Sequence, residues 1–196
     1  MRSRKAAVER KTRETEIRLR LDLDGAGRGR VRTGIGFLDH MLELLTAHAG
    51  MDLDLSARGD LCVDAHHTVE DVGICLGEGI RKALGRKEGI ARYGSCLLPM
   101  DEALVSAALD VSGRPHLSYR VKVGRRKIDS FDTELVEEFF QALVNHAGLT
   151  LHVDLVRGRN AHHIVEAVFK GVARALKAAA ARPGGANGVP STKGTL

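Results

Sequence analysis

Two heptads hold most of the chemistry this chain can offer: "AHHTVED" from Ala65 and "AHHIVEA" from Ala161. Each places a glutamate three residues after a pair of adjacent histidines. Imidazole nitrogen and carboxylate oxygen are borderline-to-hard donors suited to Mn, Fe, Zn or Ni. On a helix, Glu70 lies four residues after His66 and three after His67, so its carboxylate shares a face with either imidazole. Adjacent histidines diverge by about 100° and do not readily hold the same ion. The spacing therefore points to two metals, each taking one imidazole from His66-His67 or His162-His163, beside Glu70 or Glu166 and with further ligands from elsewhere. The competing account is a solvated helix face copied by duplication. Against it, Thr68, Asp71 and Gly73 have become Ile164, Ala167 and Phe169, while the histidines and the glutamate are the same in both copies.

His40 belongs to the same argument, because it falls in the helix before the first heptad at the position matched by Glu138. Either can ligate a metal, and either can stand on a helix surface. His48 and His146 fall at helix ends, where an imidazolium complements the dipole. His116 and His152 have no evident partner and read as structural.

The elements that must position these groups come in the same order twice. "TEIRLRLDLDG" alternates as a half-buried strand, with Ile17, Leu19, Leu21 and Leu23 on one face. "FLDHMLELLTAHAG" has helical spacing through Phe37, Met41, Leu42, Leu45 and Ala49, and Gly50 supplies a stop. "MDLDLSA" alternates again, and residues 66–84 read as a helix burying Val69, Val72, Leu76, Ile80 and Ala83. In the second half, residues near 95–111 and 117–123 read as strands, "ELVEEFFQALVNHAG" as a helix, "LTLHVDL" as a strand and 162–181 as a long helix. Aligning His48-Ala49-Gly50 with His146-Ala147-Gly148, and removing two loop residues, brings the heptads into register. Two copies make a duplication and not a solenoid, which needs about three.

The chain has 196 residues, enough for one domain or two halves sharing a core. No apolar run reaches the about 18 to 20 residues that cross a bilayer, and the N-terminus lacks an apolar signal core, so the expectation is a soluble cytoplasmic protein without membrane contact. Three cysteines in no CxxC pattern read as reduced thiols. The net charge of +5 is local: residues 1–32 have eleven Lys/Arg and five Asp/Glu, the remainder nineteen and twenty. That pattern suits an anionic ligand or a solvated strand and arm better than a nucleic-acid face. After Arg182, "RPGGANGVPSTKGTL" has the composition of a disordered tail, although "STKG" can also wrap a phosphate.

"VDAHHTVEDVGICL" and "GRNAHHIVEAVFK" resemble the two signature stretches of the imidazoleglycerol-phosphate dehydratase family. "RKTRETEI", "GFLDHML", "ARYGSCLLPMDEAL", "DVSGRP", "VEEFF" and "GVPSTKG" resemble its other landmarks in order, so the likeness covers roughly residues 8–196. The resemblance implies an α+β fold, a duplicated pair of small β-sheet/two-helix units (halves like the second domain of ribosomal protein S5) packed as one domain. The pseudo-repeats would span about 10–93 and 94–182, with 183–196 as a substrate-loop tail. It implies dehydration of D-erythro-imidazole-glycerol phosphate to imidazole-acetol phosphate in histidine biosynthesis, by a monofunctional enzyme, through an imidazolate stabilised by metal. It further implies two Mn(II) per active site at subunit interfaces and a homo-oligomer of 24 subunits built from trimers.

Carried over by residue, the metal ligands are His40, His66, His67, Glu70, Glu138, His162, His163 and Glu166. Glu138 departs from the histidine of many members, and a carboxylate can still hold Mn(II). Glu14, His48, Arg92, Arg114, Lys170, Ser191, Thr192 and Lys193 face the substrate, the basic groups and the tail clamping its phosphate. Dehydration needs an acid and a base. Glu14 is the first choice for one role, and a ligand carboxylate such as Glu70 or Glu166, or a metal-bound water, for the other. Asp101 and Glu102 are weaker choices that also read as strand-end charges. The rival readings are a dinuclear phosphate-ester hydrolase, a non-catalytic metal-bridged assembly, and a nucleic-acid binder using residues 1–32.

Overall fold

A computed structural model describes residues 3–183 and 188–193; residues 184–187 and 194–196 of the expected tail lie outside the described residues. The element order is β1 (Lys5–Lys11), β2 (Thr15–Asp22), β3 (Gly29–Arg32), α1 (Gly36–Ala49), β4 (Asp52–Gly59) and α2 (His66–Leu84) in the first half. The second half follows with β5 (Tyr93–Met100), β6 (Ala103–Asp110), β7 (His116–Arg120), a small hairpin β8 (Lys127–Ile128) and β9 (Phe131–Asp132), then α3 (Leu135–Ala147), β10 (Thr150–Arg157) and α4 (Ala161–Ala180).

The sheets share one topology, β1-β2-β4-β3 and β5-β6-β10-β7, with the fourth strand of each parallel to its neighbour and the others antiparallel. The fold is a duplicated α+β architecture. Strand β2 alternates as its sequence requires: Ile17, Leu19 and Leu21 are buried under the helices while Arg18 and Arg20 face out. Edge strands β1 and β3 carry too few apolar residues to declare themselves; Val8 and Val31 are their buried hydrophobics.

Helix α2 lies on β1 and β2, and α4 on β5 and β6. The halves then join by exchange, α1 packing on α4 and α3 on α2. Gly50 and Gly148 end α1 and α3 in the left-handed region, at φ 70° and 68°. The α2–α3 seam depends on glycines: a Cβ on Gly73 would stand 2.6 Å from Phe139 O, and one on Gly77 2.5 Å from Leu143 O. The α4 counterpart of Gly73 is Phe169, whose ring packs on Phe139 and Phe140 with centroids 5.4 and 4.9 Å away. The copied helix thus fills the centre where the first one makes room for a backbone.

Gly77→Val is therefore expected to force α3 away from α2 and to lower stability by about 1–3 kcal/mol, the cost of overpacking a filled core. Urea unfolding followed by circular dichroism measures it, and an unchanged midpoint would refute the close-packing account.

Candidate metal centre

Both heptads have an Asx side chain bonded to the first turn of their helix, Asn160 as the cap of α4 and Asp64 one residue ahead of the cap position of α2. Asp64 Oδ1 accepts from the His66 N–H at 2.8 Å, and Asn160 Oδ1 accepts from the N–H groups of His162 and His163 at 2.9 and 3.4 Å. An Asx residue two before the first histidine thus satisfies otherwise orphaned donors and fixes where the helix begins. The histidines of each pair then point apart, with interplanar angles of 88° for His66-His67 and 80° for His162-His163.

Because α1 packs on α4, His40 stands beside the second heptad. His162 Nε2 is 3.1 Å and His40 Nε2 3.9 Å from Glu166 Oε2, and the ligand atoms of these three residues lie within 4.8 Å of one another. The edge of Phe37 packs against the His162 ring, centroids 5.4 Å apart. The other Glu166 oxygen accepts a short hydrogen bond from Lys170. Burial pushes this carboxyl up, but the Lys170 and His162 contacts outweigh it and hold the group below its ordinary range. Two imidazoles and an anionic carboxylate converging from two rigid helices fit a divalent ion such as Mn(II).

By duplication the matching triad is Glu138, His66 and Glu70, on the α3–α2 pair. Glu138 and His66 are exposed and Glu70 is half-buried. Among the described residues, His40, His162 and Glu166 form the one His/Cys/Asp/Glu group with ligand atoms so close. The remaining heptad histidines are engaged by carboxylates: His67 Nδ1 lies 3.0 Å from Asp60 Oδ2 and 3.9 Å from Glu14 Oε2, and His163 Nδ1 lies 2.7 Å from Glu102 Oε2. These carboxylates raise both imidazoles above the ordinary histidine value, chiefly through the hydrogen bonds to Asp60 and to Glu102. In return the Glu102 carboxyl is held down to about 2, by His163 first and then by the N–H groups of Asn160 and Arg159. Asp60 went unnoticed in the sequence, where it reads as one more charge at a strand end.

The substrate-facing groups divide. Lys170 is on Glu166, as described. Arg92, at φ 74°, is committed to Asp110 at 2.8 Å and to Pro190 O at 2.9 Å, so it ties the tail to the second sheet. The tail is further held by Gly89 N to Gly188 O, and Lys193 N donates to Ser191 Oγ. Thr192 follows in the same short turn, and Arg114 is exposed on the β6–β7 loop. Glu14 is exposed in the β1–β2 turn. His116 and His152, read as partnerless, face each other on neighbouring strands with ring centroids 5.6 Å apart. In the basic N-terminal segment, Arg4, Lys5, Arg10, Arg18 and Arg28 all form ion pairs with acidic residues. No helix among the described residues is long and apolar enough to cross a membrane.

Comparison with known proteins bears on what this centre serves. Residues 33–176 match the family model of imidazoleglycerol-phosphate dehydratase. The chain is 59% identical over 194 residues to the imidazoleglycerol-phosphate dehydratase of Dinoroseobacter shibae, covering 98% of this chain and 100% of the relative. It is 54% identical over 193 residues to that of Oceanobacillus iheyensis, covering 98% and 100%. The crystal structure of the Staphylococcus aureus enzyme superposes with a TM-score of 0.84 at 41% identity, over 91% of this chain and 99% of that one. The Pyrococcus furiosus enzyme, in complex with (S)-C348, gives 0.83 at 37% identity, over 96% and 100%.

His48 gives a measurable electrostatic signature. Burial, then Lys170 and Arg174, push its pKa below 6.5, against a smaller opposing pull from Glu166. These surroundings disfavour the imidazolium and so run against a charge–dipole role at the helix end. Because the folded value is lowered, the unfolded chain takes up the proton first, and His48 costs stability as the pH falls below 6.5. NMR titration of the metal-free protein should place His48 below 6.5, and Arg174→Gln should move it upward; a value unchanged by that substitution would refute the assignment.

Proposed function

The chain belongs to the imidazoleglycerol-phosphate dehydratase family and so dehydrates imidazoleglycerol phosphate in histidine biosynthesis, and we propose that it does so as a cytoplasmic, manganese-dependent homo-oligomer. The observation that carries the metal part is the convergence of His40, His162 and Glu166. Three protein ligands leave open positions on an ion that commonly takes six. The other expected ligands, His66, His67, Glu70, Glu138 and His163, would complete two Mn(II) per active site once subunits meet. Assembly into 24 subunits from trimers is the form expected. It is supported by apolar side chains left on the outside of the fold, with Tyr93, Leu97 and Val156 each more than half exposed at 61, 63 and 53%.

When bound, the metal supplies Lewis-acid stabilisation of negative charge on the substrate's imidazole ring. The chain's own residues do the rest. Removing water from the glycerol unit requires one group to give a proton to the departing hydroxide and another to take the proton from the neighbouring carbon. In this reading Glu14 performs one transfer, with Glu70 or Glu166 as the partner carboxylate, and its exposure at a hairpin turn 3.9 Å from His67 supports that role. His48 and the Lys170 ammonium lie along α1 and α4 past the ligands, where a phosphate would be met by the positive charge of Lys170. Arg114, Ser191, Thr192 and Lys193 close on the same phosphate, and Arg92 acts by holding Pro190 and so the tail. A phosphate-ester hydrolase would need the same donors, but family membership sets that reading aside.

Metal-stripped protein given imidazoleglycerol phosphate should form imidazole-acetol phosphate when Mn(II) is added and not otherwise. Glu14→Gln should retain its Mn(II) content and lose at least about 100-fold in turnover, the scale of general acid–base catalysis. Product without metal would remove manganese from the reaction, and near-normal turnover in the variant would remove Glu14. Light scattering with and without Mn(II) tests the assembly, and a monomer under both conditions would overturn the shared-site reading.

A further inference from the structure

The two halves use different carboxylates for the same task, and the strand register shows why. Lys5 pairs with Asp22 and Tyr93 with Asp110, so the hairpins β1–β2 and β5–β6 coincide under a shift of 88 residues, which places Glu14 over Glu102. In β4 and β10, Asp52 opposite Asp22 matches Thr150 opposite Asp110, a shift of 98, and the bulge between Leu155 and Arg157 makes it 99 at the strand end, which places Gly59 over Gly158 and Asp60 over Arg159. In the first half Asp60 holds His67 Nδ1 at 3.0 Å and Glu14 stays back at 3.9 Å. In the second half the position of Asp60 is Arg159, so the strand end offers His163 no carboxylate. Glu102 takes over, with Oε2 2.7 Å from His163 Nδ1 and Oε1 accepting from Asn160 N at 2.7 Å and Arg159 N at 3.1 Å.

We propose that Glu102 and Asp60 are positioning residues which fix the Nδ1–H tautomer of His163 and His67 and so present Nε2 as the metal-binding nitrogen, and that Asp60 thereby leaves Glu14, the counterpart of Glu102, free to act on substrate. This rests on the manganese reading above. A carboxylate behind a ligating imidazole sets both the ring orientation and the nitrogen that carries the proton. Glu14 and Glu102 occupy one position of the repeat yet divide: Glu102, with no second carboxylate at His163 Nδ1 (Asp101 lies 3.7 Å from Nε2), is tied to that imidazole, and Glu14 is left 52% exposed.

Glu102→Gln separates a positioning role from a merely structural one. Its amide oxygen can keep the two backbone N–H groups that Glu102 clasps at the start of α4, so the fold is retained. Its NH2 group then faces His163 Nδ1, which must accept, and the ring proton moves to Nε2. Mn(II) binding to metal-stripped protein, followed by electron paramagnetic resonance, is expected to weaken by about 10- to 100-fold at one site, the usual effect of losing such a partner. Thermal unfolding should stay near wild type, and ¹⁵N NMR in alkaline buffer should report the exchanged His163 tautomer in the metal-free variant. Asp60→Asn should weaken a site in the same way, and Glu14→Gln should leave Mn(II) affinity unchanged. Wild-type affinity in Glu102→Gln, an unaltered tautomer, or equal weakening in Glu14→Gln would overturn the proposal while leaving the manganese reading intact. Failure of the wild-type protein to bind Mn(II) would overturn both.

Discussion

The exchange of helices between halves is the constraint on which the rest depends. Each sheet is covered by the two helices of its own half, and α1 and α3 each lie also against a helix from the other half, which joins the two layers of helices into one core. His40 meets His162 and Glu166 for that reason and no other. The approach of α3 to α2 is close because Gly73 and Gly77 offer no side chain, and the aromatic cluster of Phe139, Phe140 and Phe169 fills the space that the two helix pairs enclose. The ligand cluster is therefore as rigid as the core beneath it, which is what a metal site requires of its scaffold.

Much of this was legible in the residues. The helix over 66–84 was set by Val69, Val72, Leu76, Ile80 and Ala83, all of which are buried. The duplication was visible in the repeated histidine pairs, and Gly50 and Gly148 marked their helix ends correctly. Strand β3 was missed because four residues with one buried valine leave no periodicity to detect, and β1 because its alternation is crowded with charge. Phe37 was placed on the buried stripe of α1, where Leu38 is fully buried and Phe37 instead edges onto His162. That contact joins residues far apart in sequence, and no local pattern encodes it.

The site shows the same boundary between local and non-local information. An i, i+4 pair such as His162 and Glu166 is fixed by helix geometry, so its 3.1 Å contact could be anticipated. The partners of His67 and His163 could not. Asp60 reaches its histidine from the end of a strand, and Glu102 does so from a hairpin turn 61 residues away in sequence. Arg92 was expected at the substrate, and the partners its guanidinium finds in the fold, Asp110 and a tail carbonyl, are ones no local pattern encodes. Charge type is written in the sequence; which opposite charge lies within reach is a property of the fold.

Duplication has also left the two heptads in different electrostatic surroundings. Lys170 sits four residues after Glu166 and neutralises one of its oxygens, whereas the residue four after Glu70 is Ile74, buried at 8% exposure. The Glu166 carboxylate therefore divides its charge between an ammonium and two imidazoles, while Glu70 has no such cation in its own helix. A divalent ion shared by Glu166 meets less negative charge and lies next to an ammonium suited to a phosphate. An ion at Glu70, with Glu138 in place of a histidine, would be held more by charge than by imidazole nitrogen. The second heptad thus presents an ammonium beside its carboxylate, and the first presents its carboxylate without one.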